Sequence, residues 1–162
     1  MRPRVGEQAA AARGYEFDIF GNDISRKVLR TARAAVYTEA SFRFTPQEYI
    51  DRFFTRDGRS YRLDEELRSQ VTFGHLNLMD DTALTLIANV DVILCRNVII
   101  YFNAPSRKRL LETFRRKLRP GGYLLLGHSE SLINESTAFE LVPLKADIVY
   151  RKPLEATSED SG

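Results

Sequence analysis

Hydrophobic and polar positions along this 162-residue chain fall into alternating strand-like and helix-like segments. The sharpest segment is Asp91-Val-Ile-Leu-Cys-Arg-Asn-Val-Ile-Ile-Tyr-Phe102. Its apolar run from Val92 to Cys95 fits a strand covered on both faces, as in the parallel sheet of an α/β protein. The run breaks at Arg96 and Asn97, and a second apolar run ends on Tyr101. Ligands of such sheets collect beyond the carboxyl ends of the strands, so these three side chains stand where something polar could be gripped. The plain alternative is a strand end whose polar groups meet water.

Upstream, Phe17-Asp-Ile-Phe20 reads as a short strand ending at Gly21-Asn22-Asp23. Ser25 can cap a helix carrying Val28, Leu29, Ala32 and Val36 at helical spacing. Thr45-Pro46 opens a helix with Tyr49, Ile50 and Phe53 on one face. Asp57-Gly58 marks a turn, Arg59 to Leu63 a short strand, and Val71-Thr-Phe73 a strand leading into Leu76-Asn77-Leu78. A turn of helix is expected before Asp91. Beyond it, Asn103 and Pro105 start a helix with Leu110, Leu111, Phe114 and Leu118 as its buried stripe, and Pro120-Gly121-Gly122 as its stop. Tyr123 to Leu126 is again an apolar strand, and Phe139 to Val142 with Asp147 to Tyr150 form an antiparallel pair at the sheet edge. Residues 1–14 are polar and Ala-rich, like the tail of a helix, and Leu154 to Gly162 is a polar tail expected to be disordered.

Length allows one domain. Hydrophobic content of 43% and charged content of 28% are ordinary for a soluble globular protein. A net charge of +2 is too small to argue for nucleic acid or a membrane. Cys95 is the only cysteine, which excludes an intrachain disulfide and suits a cytoplasmic setting. No apolar run reaches bilayer-spanning length, and no signal-peptide core is visible. His75 and His128 lack Cys or Glu partners at metal-ligand spacing, so both read as structural or solvent-facing and no metal site is expected. Cys95, in an apolar strand, reads as an inert buried thiol. The basic cluster Arg107, Lys108, Arg109, Arg115, Arg116, Lys117 and Arg119 reads as a solvated helix face favoured by the helix dipole, with nucleic acid or an acidic protein as the rival.

Asn22-Asp-Ile-Ser25, Asn77-Leu78, Cys95-Arg-Asn-Val-Ile-Ile-Tyr-Phe102, Leu118-Arg-Pro-Gly-Gly-Tyr123 and Gly127-His-Ser-Glu130 follow one another along the chain. Over roughly Phe17 to Lys152 this order resembles the C-terminal catalytic domain of CheR-type chemotaxis-receptor glutamate O-methyltransferases. The Arg-Asn-Val-x-Ile-Tyr-Phe block is the specific part, whereas Leu-Arg-Pro-Gly-Gly is common to many class I methyltransferases. The resemblance implies an α/β, Rossmann-like class I sheet, mostly parallel with an antiparallel C-terminal hairpin. It implies S-adenosylmethionine as cofactor, S-adenosylhomocysteine as product and no metal. The protein substrate would be the cytoplasmic domain of a chemoreceptor, in the cytoplasm, with no nucleic acid and no membrane insertion.

By the same resemblance Asp23 accepts hydrogen bonds from the cofactor ribose, as an acid does at a strand end in dinucleotide-binding folds. Its rival role is to satisfy free amides at the following helix start. Asn77 and Leu78 meet the adenine, Arg96 and Asn97 line the amino-acid end, and Tyr101 orients the substrate carboxylate near the transferring methyl. A tyrosine packed for structure alone is the alternative at 101. A receptor glutamate is ionised near neutrality, its reference pKa being about 4.3, so the nucleophile needs no general base. Arg96 and Tyr101 are therefore the catalytic candidates, acting through alignment.

The family pattern also has a first strand and Gly-rich loop before Phe17, and nothing in residues 1–16 resembles them. The expected organisation is a residual helix in 1–16, a partial methyltransferase domain in 17–152 and a tail in 153–162, with the central strand missing between those at Phe17 and Asp91. Unpaired buried backbone groups cost about 1–3 kcal/mol each, against a typical stability of about 5–15 kcal/mol. Flanking strands could close the gap, another chain or segment could supply the strand, or the polypeptide could be marginally folded. Weak cofactor binding by the chain alone is the corresponding expectation. A catalytically silent module that docks a signalling partner is the alternative function.

Overall fold

A computed structural model describes residues 17–127, 130–132, 138–144 and 148–154. The expected helix tail near the start, His128 and the polar tail from 155 onward lie outside these residues. The chain divides into two compact units, Met1–Asn77 and Leu78–Gly162.

In the first unit, β1 (Ile19–Asp23) runs parallel to β5 (Val71–His75), in register from Ile19 opposite Val71 to Asp23 opposite His75. Between them, α1 (Arg26–Ala34) begins as its sequence predicts, with Ser25 Oγ accepting the Val28 N–H at 3.3 Å. It stops before Val36. Ala35 adopts a left-handed conformation, φ 52°, and donates its N–H to the carbonyls of Thr31 and Ala32. Alanine rarely occupies that region; here it is buried and its carbonyl accepts the Leu63 N–H at 3.0 Å. Val36 therefore opens a strand, β2 (Val36–Thr38), of a three-stranded antiparallel sheet with β3 (Phe54–Asp57) and β4 (Ser60–Leu63) in the order β2-β4-β3. Gly58, at φ 59°, makes the expected β3–β4 turn. Helix α2 (Gln47–Phe53) precedes β3, and α3 (Glu65–Ser69), capped by Asp64, precedes β5. Phe42 meets Phe54, Tyr61 and Tyr37 edge-on at 4.8, 5.0 and 6.2 Å between ring centroids, an arrangement that aromatic quadrupoles favour.

In the second unit, α4 (Asp81–Thr85) supplies the helical turn expected before Asp91. It leads to β6 (Val90–Cys95), which runs parallel to β7 (Leu118–Leu126); β9 (Ile148–Arg151) lies antiparallel to β7, and β8 (Glu140–Pro143) to β9. The C-terminal hairpin is thus as expected. Helix α5 (Ala104–Lys117) is capped by Asn103, whose Oδ1 accepts the Ser106 N–H at 3.0 Å. Its Leu110, Leu111 and Phe114 join Cys95, Ile99, Leu118, Leu124, Leu126 and Tyr150 in one buried cluster.

Two details depart from expectation. Leu118 is the first residue of β7 rather than the last of the helix stripe, and the strand runs through Pro120-Gly121-Gly122. Glycine is needed there: a Cβ on Gly122 would lie 2.9 Å from the carbonyl oxygens of Arg119 and Asp91, where the β6–β7 register shifts. The second departure is β6, which among the described residues is not covered on both faces. Ile93 and Cys95 face the core, whereas Val92 is 48% and Leu94 70% exposed. Among the described residues β6 hydrogen-bonds to β7 alone and β1 to β5 alone. The architecture is α/β, with parallel strands and antiparallel strands combined. Among the described residues no helix is long and apolar enough to cross a membrane.

Candidate functional site

In the first unit the candidate residues sit at two adjacent carboxyl ends. The Asp23 carbonyl accepts the Leu76 N–H at 3.2 Å, so the β1–β5 pairing extends one step before Asn77 leaves it, exposed. Asp23 Oδ1 accepts the Ser25 N–H at 2.6 Å. One carboxylate oxygen thereby serves the start of α1, which is the role weighed against ribose binding. His75, opposite Asp23, is exposed.

In the second unit Leu78 is half-buried and packs against the core cluster. At the carboxyl end of β6 the chain turns sharply: Asn97 is left-handed at φ 57°, and Ile99–Tyr101 form one 3-10 turn. Arg96 and Asn97 are exposed beyond the strand. Tyr101 is 82% exposed, so the packed-tyrosine alternative does not hold.

The turn is held by Glu130, just past the end of β7. Glu130 Oε2 accepts the N–H groups of Gly127 and Asn97, each at 2.8 Å. Its Oε1 accepts those of Val98 at 2.9 Å and Ile99 at 2.8 Å, with Ile100 more distant at 3.4 Å. Glu130 is only 9% exposed. Burial pushes its pKa up, but the backbone N–H bonds outweigh that and hold it below the ordinary carboxylate value. The same charge acts on Cys95, whose thiol is pushed up to about 12, first by burial and then by Glu130. Cys95 is the inert buried thiol that its apolar surroundings suggest.

The basic cluster is largely engaged within its own unit. Arg109 pairs with Asp81 and Arg119 with Asp91, Lys117 donates to the Ile87 carbonyl at 2.6 Å, and Arg116 donates to Thr113 Oγ1 at 2.9 Å. A helix whose cations bind neighbouring carboxylates and carbonyls is a poor electrostatic footprint for nucleic acid. Among the described residues no cluster of His, Cys, Asp and Glu could hold a metal ion.

Comparison with known proteins shows which kind of domain carries these strand ends. The family described as CheR methyltransferase, SAM binding domain, matches residues 5–148. The chain belongs to this family. It is 32% identical over 146 residues to chemotaxis protein methyltransferase 2 of Vibrio cholerae, covering 90% of this chain and 51% of that protein. The probable biofilm formation methyltransferase WspC of Pseudomonas aeruginosa is 32% identical, covering 88% of this chain and 34% of its own. A chemotaxis protein methyltransferase of Vibrio parahaemolyticus is 38% identical, covering 82% and 48%. The chain thus spans about half the length, or less, of the relatives it matches.

Within this CheR-family, SAM-binding domain, each unit carries polar side chains at a strand end. Asp23 offers a carboxylate at a strand end, and Arg96 and Asn97 offer exposed side chains at another. The residue missed by sequence reasoning is Glu130. It belongs to the Gly127-His-Ser-Glu130 motif, but its partners Asn97 to Ile100 lie some thirty residues away in the chain.

Proposed function

We propose that this chain is the cofactor-binding catalytic part of an enzyme that methylates glutamate side chains in the cytoplasmic domain of a chemoreceptor. The observation that carries the reading is the built turn after β6, which leaves Arg96, Asn97 and Tyr101 exposed beyond a parallel strand. S-adenosylmethionine, when bound, supplies an electrophilic methyl group on a sulfonium. The residues then have distinct tasks. Asp23 accepts from the ribose hydroxyls with the carboxylate oxygen not given to Ser25. Asn77 and Leu78 contact the adenine, and Arg96 with Asn97 holds the amino-acid end. Tyr101 donates to the acceptor carboxylate and orients it. Because a glutamate is already ionised near neutrality, with a reference pKa of about 4.3, no residue need remove a proton. The contribution of the protein is alignment, worth up to about 7–11 kcal/mol when reacting groups are well placed.

The test uses the natural gene product that carries this chain, methyl-labelled S-adenosylmethionine and a chemoreceptor cytoplasmic fragment. Base-labile label should appear on the fragment and be lost in Tyr101→Phe. Tight cofactor binding without transfer to any receptor fragment would instead favour the silent docking module.

A further inference from the structure

Glu130 has an unusual set of partners. Among the described residues it accepts from five backbone amides and pairs with no cation. The N–H groups of Asn97, Val98 and Ile99 lead into a 3-10 turn, where no preceding carbonyl is placed to accept them. A buried carboxylate answers all three. It also answers the Gly127 N–H, so the ends of β6 and β7 are tied through one side chain.

We propose that Glu130 is a positioning residue for cofactor binding, its carboxylate fixing Asn97 in the left-handed conformation that aims Arg96 and Asn97 past the end of β6. Asparagine tolerates that conformation, but it is not the backbone's default. Here it cannot relax without giving up the bonds from Asn97, Val98 and Ile99 together. Gly127 completes the lock. A Cβ there would fall 2.6 Å from Asn97 Oδ1 and 2.9 Å from Glu130 Oε2, so a larger residue would displace both side chains from the turn. Ionised Glu130 also explains the direction of its electrostatic effect on Cys95. The role rests on the methyltransferase reading, since Glu130 would act only through the residues that hold cofactor.

The experiment compares the wild-type gene product with Glu130→Gln by cofactor calorimetry. Glutamine keeps the shape but loses the charge and one acceptor oxygen. Affinity should fall about tenfold or more, the equivalent of one hydrogen bond to a charged group. Phe114→Leu, a core change in α5, should leave affinity within about twofold. A folded Glu130→Gln with wild-type affinity would overturn the proposal, as would an equal loss in Phe114→Leu. If Glu130→Gln does not fold, Gly127→Ala decides on the same terms. Amide exchange in the wild type needs neither variant nor cofactor: the N–H groups of Asn97, Val98 and Ile99 should exchange slowly, and rapid exchange would overturn the lock. Wild type that binds cofactor but methylates no receptor fragment defeats the acceptor assignment and leaves Glu130 testable.

Discussion

Replacing Glu130 by glutamine should cost stability as well as affinity, and the amount follows from its bonds. Four amides lie within 2.9 Å of its oxygens. Glutamine can still accept at one oxygen, so two of the four are left without an acceptor, at least one of them buried. Each buried unsatisfied amide costs about 1–3 kcal/mol, so the loss should be about 2–6 kcal/mol near pH 7. The pH dependence has a definite sign. The folded-state pKa is lowered, so the contribution is full above the unfolded value of about 4.3 and is lost as pH falls from there through the folded pKa. Urea unfolding at a series of pH values measures both quantities. The wild type should lose stability on acidification below about pH 5, and the difference from Glu130→Gln should shrink over the same range. A cost under about 1 kcal/mol at pH 7, or a difference that grows on acidification, would refute the reasoning.

Two further outcomes follow from burial. Cys95, with its pKa near 12, should be about one part in ten thousand thiolate at pH 8; an aromatic disulfide reagent should label it only under denaturing conditions, and fast native labelling would show an open strand end. Leu124, fully buried between Ile93 and Tyr150 in the sheet register, should lose about 2–5 kcal/mol on truncation to alanine in urea unfolding.

The parts of the fold that follow a strong local period were legible. Helix α5 announced itself by Asn103, Pro105 and an apolar stripe, and β6 by its unbroken run. The β8–β9 hairpin likewise lay within a residue or so of expectation. What the chain hid was set by distant contacts. Val36 continued a helical pattern, but Ala35 turned left-handed because the neighbouring β4 residue Leu63 bonds its carbonyl, and alanine carries no signal for that turn. Pro120-Gly121-Gly122 looked like a stop because glycine usually is one; its actual use is to bring β7 against the Asp91 carbonyl. At the site, Arg96, Asn97 and Tyr101 were visible as polar breaks in apolar runs. Glu130 was not, since a glutamate three residues after a glycine says nothing of amides on another strand.

The central claim is that Asp23, at the end of β1, and Arg96 with Asn97, beyond the end of β6, are cofactor-binding residues. A crystal structure of the natural gene product with S-adenosylhomocysteine tests it most directly. The account predicts ligand contacts from the Asp23 carboxylate to the ribose hydroxyls and from Arg96 with Asn97 to the amino-acid end. A ligand bound without contact to Asp23 or to the turn after β6 would contradict it.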